Sequence, residues 1–250
     1  MGGLINTWIR TPLVLSLAPL SFSSPSFGQF HVTHESRQQI RMASSALSPY
    51  QVHNAVPLLE DTDSLSDDLL SKIGAILVRA KEHQNWGIGR KHRHHELKPT
   101  ELMVHETNGP RDICRPVECD STSKVYPHSW HYTSGDHLTP YEYGTQPQPD
   151  ITSPLVSELL EQLRLMRIES TVALIPIETS LEGEDKKWVE TVSSEDRSMT
   201  SDLVPQSQRF PQFEAVGWRF SPAGEGAVKA VVTRECKRNP VTGFHKAEYT

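Results

Sequence analysis

The sequence FEAVGWRFSPAGEGAVKAVVTREC, residues 213–236, predicts a β-hairpin. Its two arms, 213–220 and 227–236, have strand-like composition, and the turn formers of 221–226 separate them. In the first arm, alternate side chains from Glu214 to Phe220 make the more apolar face. Trp218 lies on that face, so we expect its side chain to be buried.

Two amphipathic helices precede the hairpin. Between Ser64 and Gln84, leucine and isoleucine recur at helical spacing, and the glycines of 87–89 are expected to end that helix. Residues 154–167 repeat the pattern. Further strands are predicted at 101–105, 125–132 and 171–175. Because these elements show no βαβ rhythm, we expect an α+β fold with a mainly antiparallel sheet and two principal helices.

Composition limits how much of the chain can fold. Apolar residues make up 36% of the 250, the mean hydropathy is −0.48, and there are 18 prolines. These values favour one core with polar loops and tails outside it. We expect a single α+β domain over residues 64–246, with an acidic polar loop near 182–208, where aliphatic residues are scarce.

Residues 1–50 are expected to lie outside the domain, and the sequence leaves their nature open. The apolar stretch 12–22 follows Arg10, as in a secretory signal. Residues 1–34 contain no acidic side chain and many serines, as in a mitochondrial presequence. A third interpretation is a disordered tail or an upstream extension of the gene model, since Met42 could start translation. We then expect a cytoplasmic protein, whereas a genuine targeting segment would make it secreted or mitochondrial.

Charge and cysteine content argue against several classes of protein. The net charge is −6 at pH 7, so we expect no nucleic-acid partner, because neutralising phosphates needs a surplus of Lys and Arg. Three cysteines allow at most one disulfide, which suits a reducing compartment. No stretch reaches the roughly 18 apolar residues of a membrane-spanning helix, so no transmembrane span is expected.

Histidines crowd the middle of the chain, with eight of the twelve between residues 83 and 137. His92 and His94 share a face if the chain is extended there, and Glu101 and His128 could complete a metal site. Imidazoles with a carboxylate suit a divalent ion such as Zn, Fe or Mn. His95 points to the opposite face. The alternative is a non-enzymatic protein-interaction module whose histidines are solvated.

Aromatic side chains alternate with smaller ones along residues 125–132, and Trp130 and Tyr132 share the aromatic face. Rings with a polar atom often line ligand pockets, so these two are candidate contacts for an unknown small molecule. The same pattern suits a sheet face packed on a helix. The sequence contains neither His-Glu-x-x-His nor Gly-x-Ser-x-Gly, and it does not decide whether the protein is an enzyme.

Several motifs follow one another along the chain: the apolar helix, the glycine-rich turn, His92-Arg93-His94, Glu101-Leu102-Met103-Val104, Trp130, Pro140-Tyr141-Glu142-Tyr143, and Cys236 with Gly243-Phe244-His245. Their order resembles that of a group of uncharacterised proteins of filamentous fungi. The resemblance covers roughly residues 65–245 and implies no particular activity. Members of that group carry an aromatic residue where this chain has His95, which leaves His92 and His94 as ligands.

Overall fold

The computed structural model describes residues 47–119, 124–133, 137–178, 181 and 185–237. Within these ranges, ten β-strands form one closed barrel. The predicted α+β class was therefore wrong, because the sheet closes on itself and dominates the fold. The predicted tail up to residue 46 and the end of the predicted domain beyond residue 237 lie outside the described ranges.

Three α-helices and a short 3-10 helix, Leu59–Asp61, accompany the barrel in the described part of the chain. Helices α1, α2 and α3 span Pro49–Asn54, Asp67–Arg79 and Ser153–Met166. Strands β1 to β10 span Trp86–Arg90, Glu101–Asn108, Arg111–Glu118, Tyr126–Thr133, His137–Gly144, Val172–Pro176, Lys186–Ser193, Ser198–Pro205, Phe213–Pro222 and Val228–Lys237. The fold begins before the predicted boundary at residue 64, since Val52 and Val56 are already buried.

The strands follow the order β1, β6, β4, β5, β2, β3, β8, β7, β10, β9 around the barrel, and β9 pairs with β1 to close it. Neighbours are antiparallel except for β2 with β5 and β7 with β10. The predicted hairpin is confirmed, because β9 and β10 pair from Phe213 with Lys237 to Pro222 with Val228.

Strands β7 and β8 occupy most of the segment predicted to be an acidic polar loop near 182–208, and that prediction was wrong. Glu190 and Ser201, which are paired across these strands, are both buried. A strand whose inward side chains are polar lacks the apolar alternation by which strands are recognised. The physical reason for the error is therefore a polar barrel interior.

The largest apolar core lies between helices α2 and α3 and the face formed by β1, β4, β6 and β9. Helix α2 begins at Ser66, whose Oγ accepts a hydrogen bond from the backbone N–H of Leu69, and its leucines and isoleucines pack into this core. Trp218 exposes only 6% of its surface there, so its predicted burial is confirmed.

The glycine-rich run after α2 forms strand β1 and does not merely end the helix. A Cβ on Gly87 would lie 2.5 Å from the carbonyl oxygen of Trp218 on β9. Only glycine fits where two backbones approach so closely. This contact between β1 and β9 closes the barrel. The histidine run follows β1 directly in the chain.

Candidate metal centre

A cavity of about 50 Å³ lies inside the barrel, and its wall is rich in polar side chains. Residues from nearly every strand contribute to the wall. Buried charges in proteins are paired or bind metal ions, because leaving them unpaired costs several kcal/mol. The charged and histidine residues of the wall are Arg90, His92, His94, His105, His128, Glu142, Glu178, Glu190 and Arg234.

His92 and His94 enter the interior from the segment that follows β1. Their Nε2 atoms lie 3.2 Å apart, and Arg93 points elsewhere, donating from Nε to the carbonyl oxygen of Val56. Nδ1 of His92 lies 2.8 Å from the carbonyl oxygen of Arg90, to which it can only donate. In a neutral ring this hydrogen bond leaves the lone pair on Nε2, as a metal ligand requires.

Glu190 and Cys236 reach the same point from strands β7 and β10. The two residues are partners in the parallel pairing of these strands. Strand β10 carries a register irregularity around Arg234. Such bulges re-aim side chains, and here Arg234 lines the cavity while Cys236 reaches the histidines.

The four side chains place one donor atom each within 4.8 Å of one another. Oε2 of Glu190 lies 3.7 Å from Nε2 of both His92 and His94, and Sγ of Cys236 lies 3.6 Å from Nε2 of His94. A tetrahedral ion with bonds of about 2.0–2.3 Å sets such donors about 3.3–3.6 Å apart. The spacing therefore fits one tetrahedral ion after small side-chain adjustments. We call this set the His92 centre.

Glu190 is the charged member of the His92 centre. Its Oε1 accepts a hydrogen bond from Nη1 of Arg234 at 3.1 Å, whereas its buried Oε2 has no hydrogen-bond partner among the described residues. Burial opposes ionisation, but the imidazoles of His92 and His94 and the Arg234 guanidinium outweigh it and hold the pKa of Glu190 well below its ordinary value. Its carboxylate is thus ionised, with one oxygen held and the other directed at the histidines.

Burial and the neighbouring Glu190 also shift the pKa values of His92 and Cys236. Burial lowers the pKa of His92, but the hydrogen bond and charge of Glu190 raise it more, so the net value lies above 6.5. Burial raises the pKa of the Cys236 thiol well above its ordinary value, and Glu190 raises it further. A metal ion would have to displace protons from both side chains.

Glu101, predicted as a ligand, is engaged elsewhere. Both of its carboxylate oxygens accept hydrogen bonds from Arg197 at 2.9 Å, and the backbone N–H of Lys98 donates to Oε2 at 2.7 Å. Glu101 belongs to neither group of potential metal ligands among the described residues. Its carboxylate instead ties the start of β2 to the β7–β8 connection.

This ion pair predicts a change of stability with pH. The hydrogen bonds from Arg197 lower the pKa of Glu101 from 4.5 to about 2. A carboxyl whose pKa is lower in the folded state stabilises the fold above its unfolded pKa and loses that contribution as pH falls. Glu101→Gln should therefore lower the free energy of unfolding at neutral pH and flatten its decline between pH 4.5 and 2.

Urea unfolding at several pH values measures this effect. Glu106→Gln is the control on the same strand, because the exposed Glu106–Arg115 pair should contribute under about 1 kcal/mol. An acid profile of Glu101→Gln that matches the wild-type profile would refute the assigned role of Glu101.

His128, the other predicted ligand, lies on the cavity wall but not in the His92 centre. Its ring stacks on His105 with centroids 4.2 Å apart, and its Nδ1 lies 3.0 Å from Oγ of Ser129. Burial, together with the charge of nearby His105, lowers the pKa of His128 to about 3. The structure therefore gives His128 the role of a neutral neighbour of His105.

Trp130 and Tyr132, predicted to line a ligand pocket, do not line the described cavity. Tyr132 is buried in the apolar core under the helices, and Trp130 packs against the same core. The register shifts of β4 near Ser129 separate the inward His128 from this outward aromatic face. These two residues therefore fit the alternative interpretation, in which the aromatic face of this strand packs on a helix.

Sequence reasoning missed Glu190 and Cys236 as partners of the histidines. Glu190 lay in the presumed loop, and Cys236 is 142 residues from His94, so no local spacing joins them. The signal that was available for Cys236 is its position at the end of the predicted strand 227–236. Only the barrel topology shows that β7 and β10 are adjacent.

Comparison with known proteins adds no assignment, since no protein-family model, curated protein or solved structure matches the chain. The resemblance to fungal proteins stays a prediction. No helix in the described ranges is both long and apolar enough to cross a membrane.

Proposed function

We propose that the protein binds a divalent transition-metal ion, Zn(II) in the first place, through His92, His94, Glu190 and Cys236. The observation that supports this most strongly is the convergence of four donor atoms from three separate segments, all within 4.8 Å of one another. Two nitrogens, one oxygen and one sulfur make a borderline-soft set, which suits Zn(II) better than Mn(II).

The buried charge of Glu190 supports the same proposal. Arg234 holds its Oε1, but its buried Oε2 has no hydrogen-bond partner among the described residues, and two imidazole nitrogens lie 3.7 Å from it. Leaving a buried polar atom unsatisfied costs about 1–3 kcal/mol, and more where the group is charged. A metal ion between the four donors removes that cost, which explains why such an arrangement persists inside a barrel.

The His92 centre has four protein ligands, and this number is typical of structural zinc sites. A bound ion would join the segment after β1 to strands β7 and β10. The cavity beside it, about 50 Å³, is smaller than the roughly 300 Å³ of an ordinary ligand pocket and holds a few water molecules. The proposed role is therefore metal binding that stabilises the barrel.

The interaction-module alternative assumed solvated histidines. The side chains of His92 and His94 expose only 10% and 7% of their surface, and that of Glu190 exposes 2%. A partner protein could not reach these groups without opening the barrel. The geometry therefore favours the metal proposal.

Metal content of substituted proteins tests the proposal. We expect the double variant His92→Ala with His94→Ala to bind one equivalent of zinc less than the wild type after loading and desalting. His95→Ala is the matched control, because that ring lies 3.3 Å from the carbonyl oxygen of Ser198 and belongs to neither ligand group among the described residues. Equal zinc content in the double variant and the wild type would refute the proposal.

Zinc affinity should rise with pH across the neutral range. Because the pKa of His92 lies above 6.5 and that of Cys236 above its ordinary value, protons compete with the metal at neutral pH. Competition with a chelator at about pH 6, 7 and 8 should show Kd falling at least about tenfold per pH unit, since at least one proton leaves per ion bound. A Kd independent of pH would show that zinc binds other groups.

A further inference from the structure

A second cluster of potential metal ligands lies where strands β2, β3 and β5 adjoin. His105, Cys114 and Glu142 each offer one donor atom, and these atoms lie within 4.8 Å of one another. His105 and Cys114 are partners in the β2–β3 pairing, and Glu142 comes from β5, which pairs with β2. The His92 centre uses none of these side chains.

The ring of His105 is oriented by a carboxylate. Its Nδ1 donates to Oδ2 of Asp112 at 2.8 Å, and Oδ1 of Asp112 accepts a hydrogen bond from Oγ1 of Thr107 at 2.9 Å. His105 and Asp112 are both buried. A carboxylate on the far nitrogen of an imidazole is the arrangement that orients histidine ligands in metal sites.

This orientation directs Nε2 of His105 towards Glu142. The distance from that nitrogen to Oε2 of Glu142 is 3.4 Å. A tetrahedral ion with bonds of about 2.0–2.2 Å sets a nitrogen and an oxygen about 3.3–3.4 Å apart. The buried thiol of Cys114 supplies the third donor and adds the softness that favours zinc or cobalt over magnesium.

We propose that His105, Cys114 and Glu142 form a second site for a divalent transition metal, with one coordination position open to the barrel cavity. His105 and Glu142 line that cavity beside His92 and Glu190. Three protein ligands with a free fourth position are the arrangement of zinc sites that bind water or substrate. The size of the cavity limits the fourth ligand to water or a small anion.

A metal-free arrangement of the same residues would be an imidazolium shared by Asp112 and Glu142. In that arrangement the site holds no metal, and replacing Cys114 leaves the metal content unchanged. In a metal site, by contrast, Cys114 and Glu142 hold the same ion, so replacing either one removes it. The two arrangements therefore differ in metal content per chain.

Cobalt loading of the untagged full-length protein distinguishes the metal site from the metal-free arrangement. After loading with Co(II) and desalting, we expect two equivalents in the wild type and one equivalent in each of Cys114→Ala, Glu142→Gln and His94→Ala. The thiolate-to-cobalt charge-transfer band should be about halved in Cys114→Ala. The control is Cys119→Ala, which removes a half-buried thiol outside both clusters and should retain two equivalents.

The stoichiometry distinguishes failure of this site from failure of the His92 centre. One equivalent in the wild type that is lost in His94→Ala but retained in Cys114→Ala overturns the second site and leaves the first. One equivalent that is lost in Cys114→Ala but retained in His94→Ala overturns the His92 centre and leaves the second site. Circular dichroism checks that each variant folds, and Glu142→Gln, which preserves side-chain shape, decides the matter if Cys114→Ala does not fold.

Azide tests the open position. As a small anion that can occupy a vacant site on Co(II), it should change the visible spectrum of the doubly loaded wild type. The change should be absent in Glu142→Gln, which retains only the four-ligand centre. A wild-type spectrum that azide does not alter would contradict an open coordination position.

Discussion

Zinc bound at the His92 centre is expected to raise the midpoint of thermal unfolding by about 8–16 °C. At free zinc about 1,000 times Kd, binding to the folded state alone contributes about 4 kcal/mol. For a domain of this size, each kcal/mol corresponds to about 2–4 °C. The ligands come from segments that are far apart in sequence, so the unfolded chain cannot assemble them.

The double variant His92→Ala with His94→Ala should lack this increment, and His95→Ala should keep it. Calorimetry of each protein with excess zinc and with excess chelator gives the comparison. An equal zinc-dependent shift in the double variant and in the wild type would show that the stabilisation arises at another place.

Trp218→Ala is expected to lower the free energy of unfolding by about 3–5 kcal/mol, the range for a large aromatic side chain that leaves a cavity. Trp218 lies on β9 opposite Ile88 of β1 and Val232 of β10, within the core that α2 and α3 cover. The loss therefore affects the contact that closes the barrel as well as the core. We expect Trp218→Ala to lower the free energy of unfolding by the same amount with and without zinc.

Chemical denaturation at neutral pH measures this loss. Tyr126→Ala is the control, since that aromatic ring also lies on a strand but is exposed. It should cost less than about 1 kcal/mol. If Trp218→Ala costs no more than Tyr126→Ala, the placement of β9 against the helices is wrong.

Strands with one apolar face could be predicted from the sequence. Trp218 and Phe220 alternate with smaller or polar residues, and the same kind of pattern gave β4, β6 and β10. Helices α2 and α3 were predicted for the same reason, because each buries a single apolar stripe against the sheet, whereas α1 was not predicted. What these elements share is an apolar face towards the outer core.

Strands β7 and β8 could not be recognised, because their inward residues face a polar interior. Glu190 on the inward face and Lys187 on the opposite face are both buried yet charged, which contradicts the assumption that buried faces are apolar. Their partners, Arg234 and Glu235, come from another part of the chain. The class of the fold was misjudged because a closed barrel depends on the strands that carry this polar lining.

The candidate site was predictable only in part for a related reason. The His-x-His spacing indicated that His92 and His94 face the same way, and the structure brings their Nε2 atoms together. Glu101 was chosen because it is near in sequence, whereas the carboxylate that meets the histidines is Glu190, about a hundred residues further on. Closure of the barrel decides which distant side chains converge.

Anomalous X-ray diffraction from crystals of the zinc-loaded protein at the zinc absorption edge tests the central claim most directly. We expect a peak between Nε2 of His92, Nε2 of His94, Oε2 of Glu190 and Sγ of Cys236, about 2.0–2.1 Å from the nitrogens and about 2.3 Å from the sulfur. Zinc peaks confined to surface side chains, with none among these four atoms, would contradict the metal-binding account.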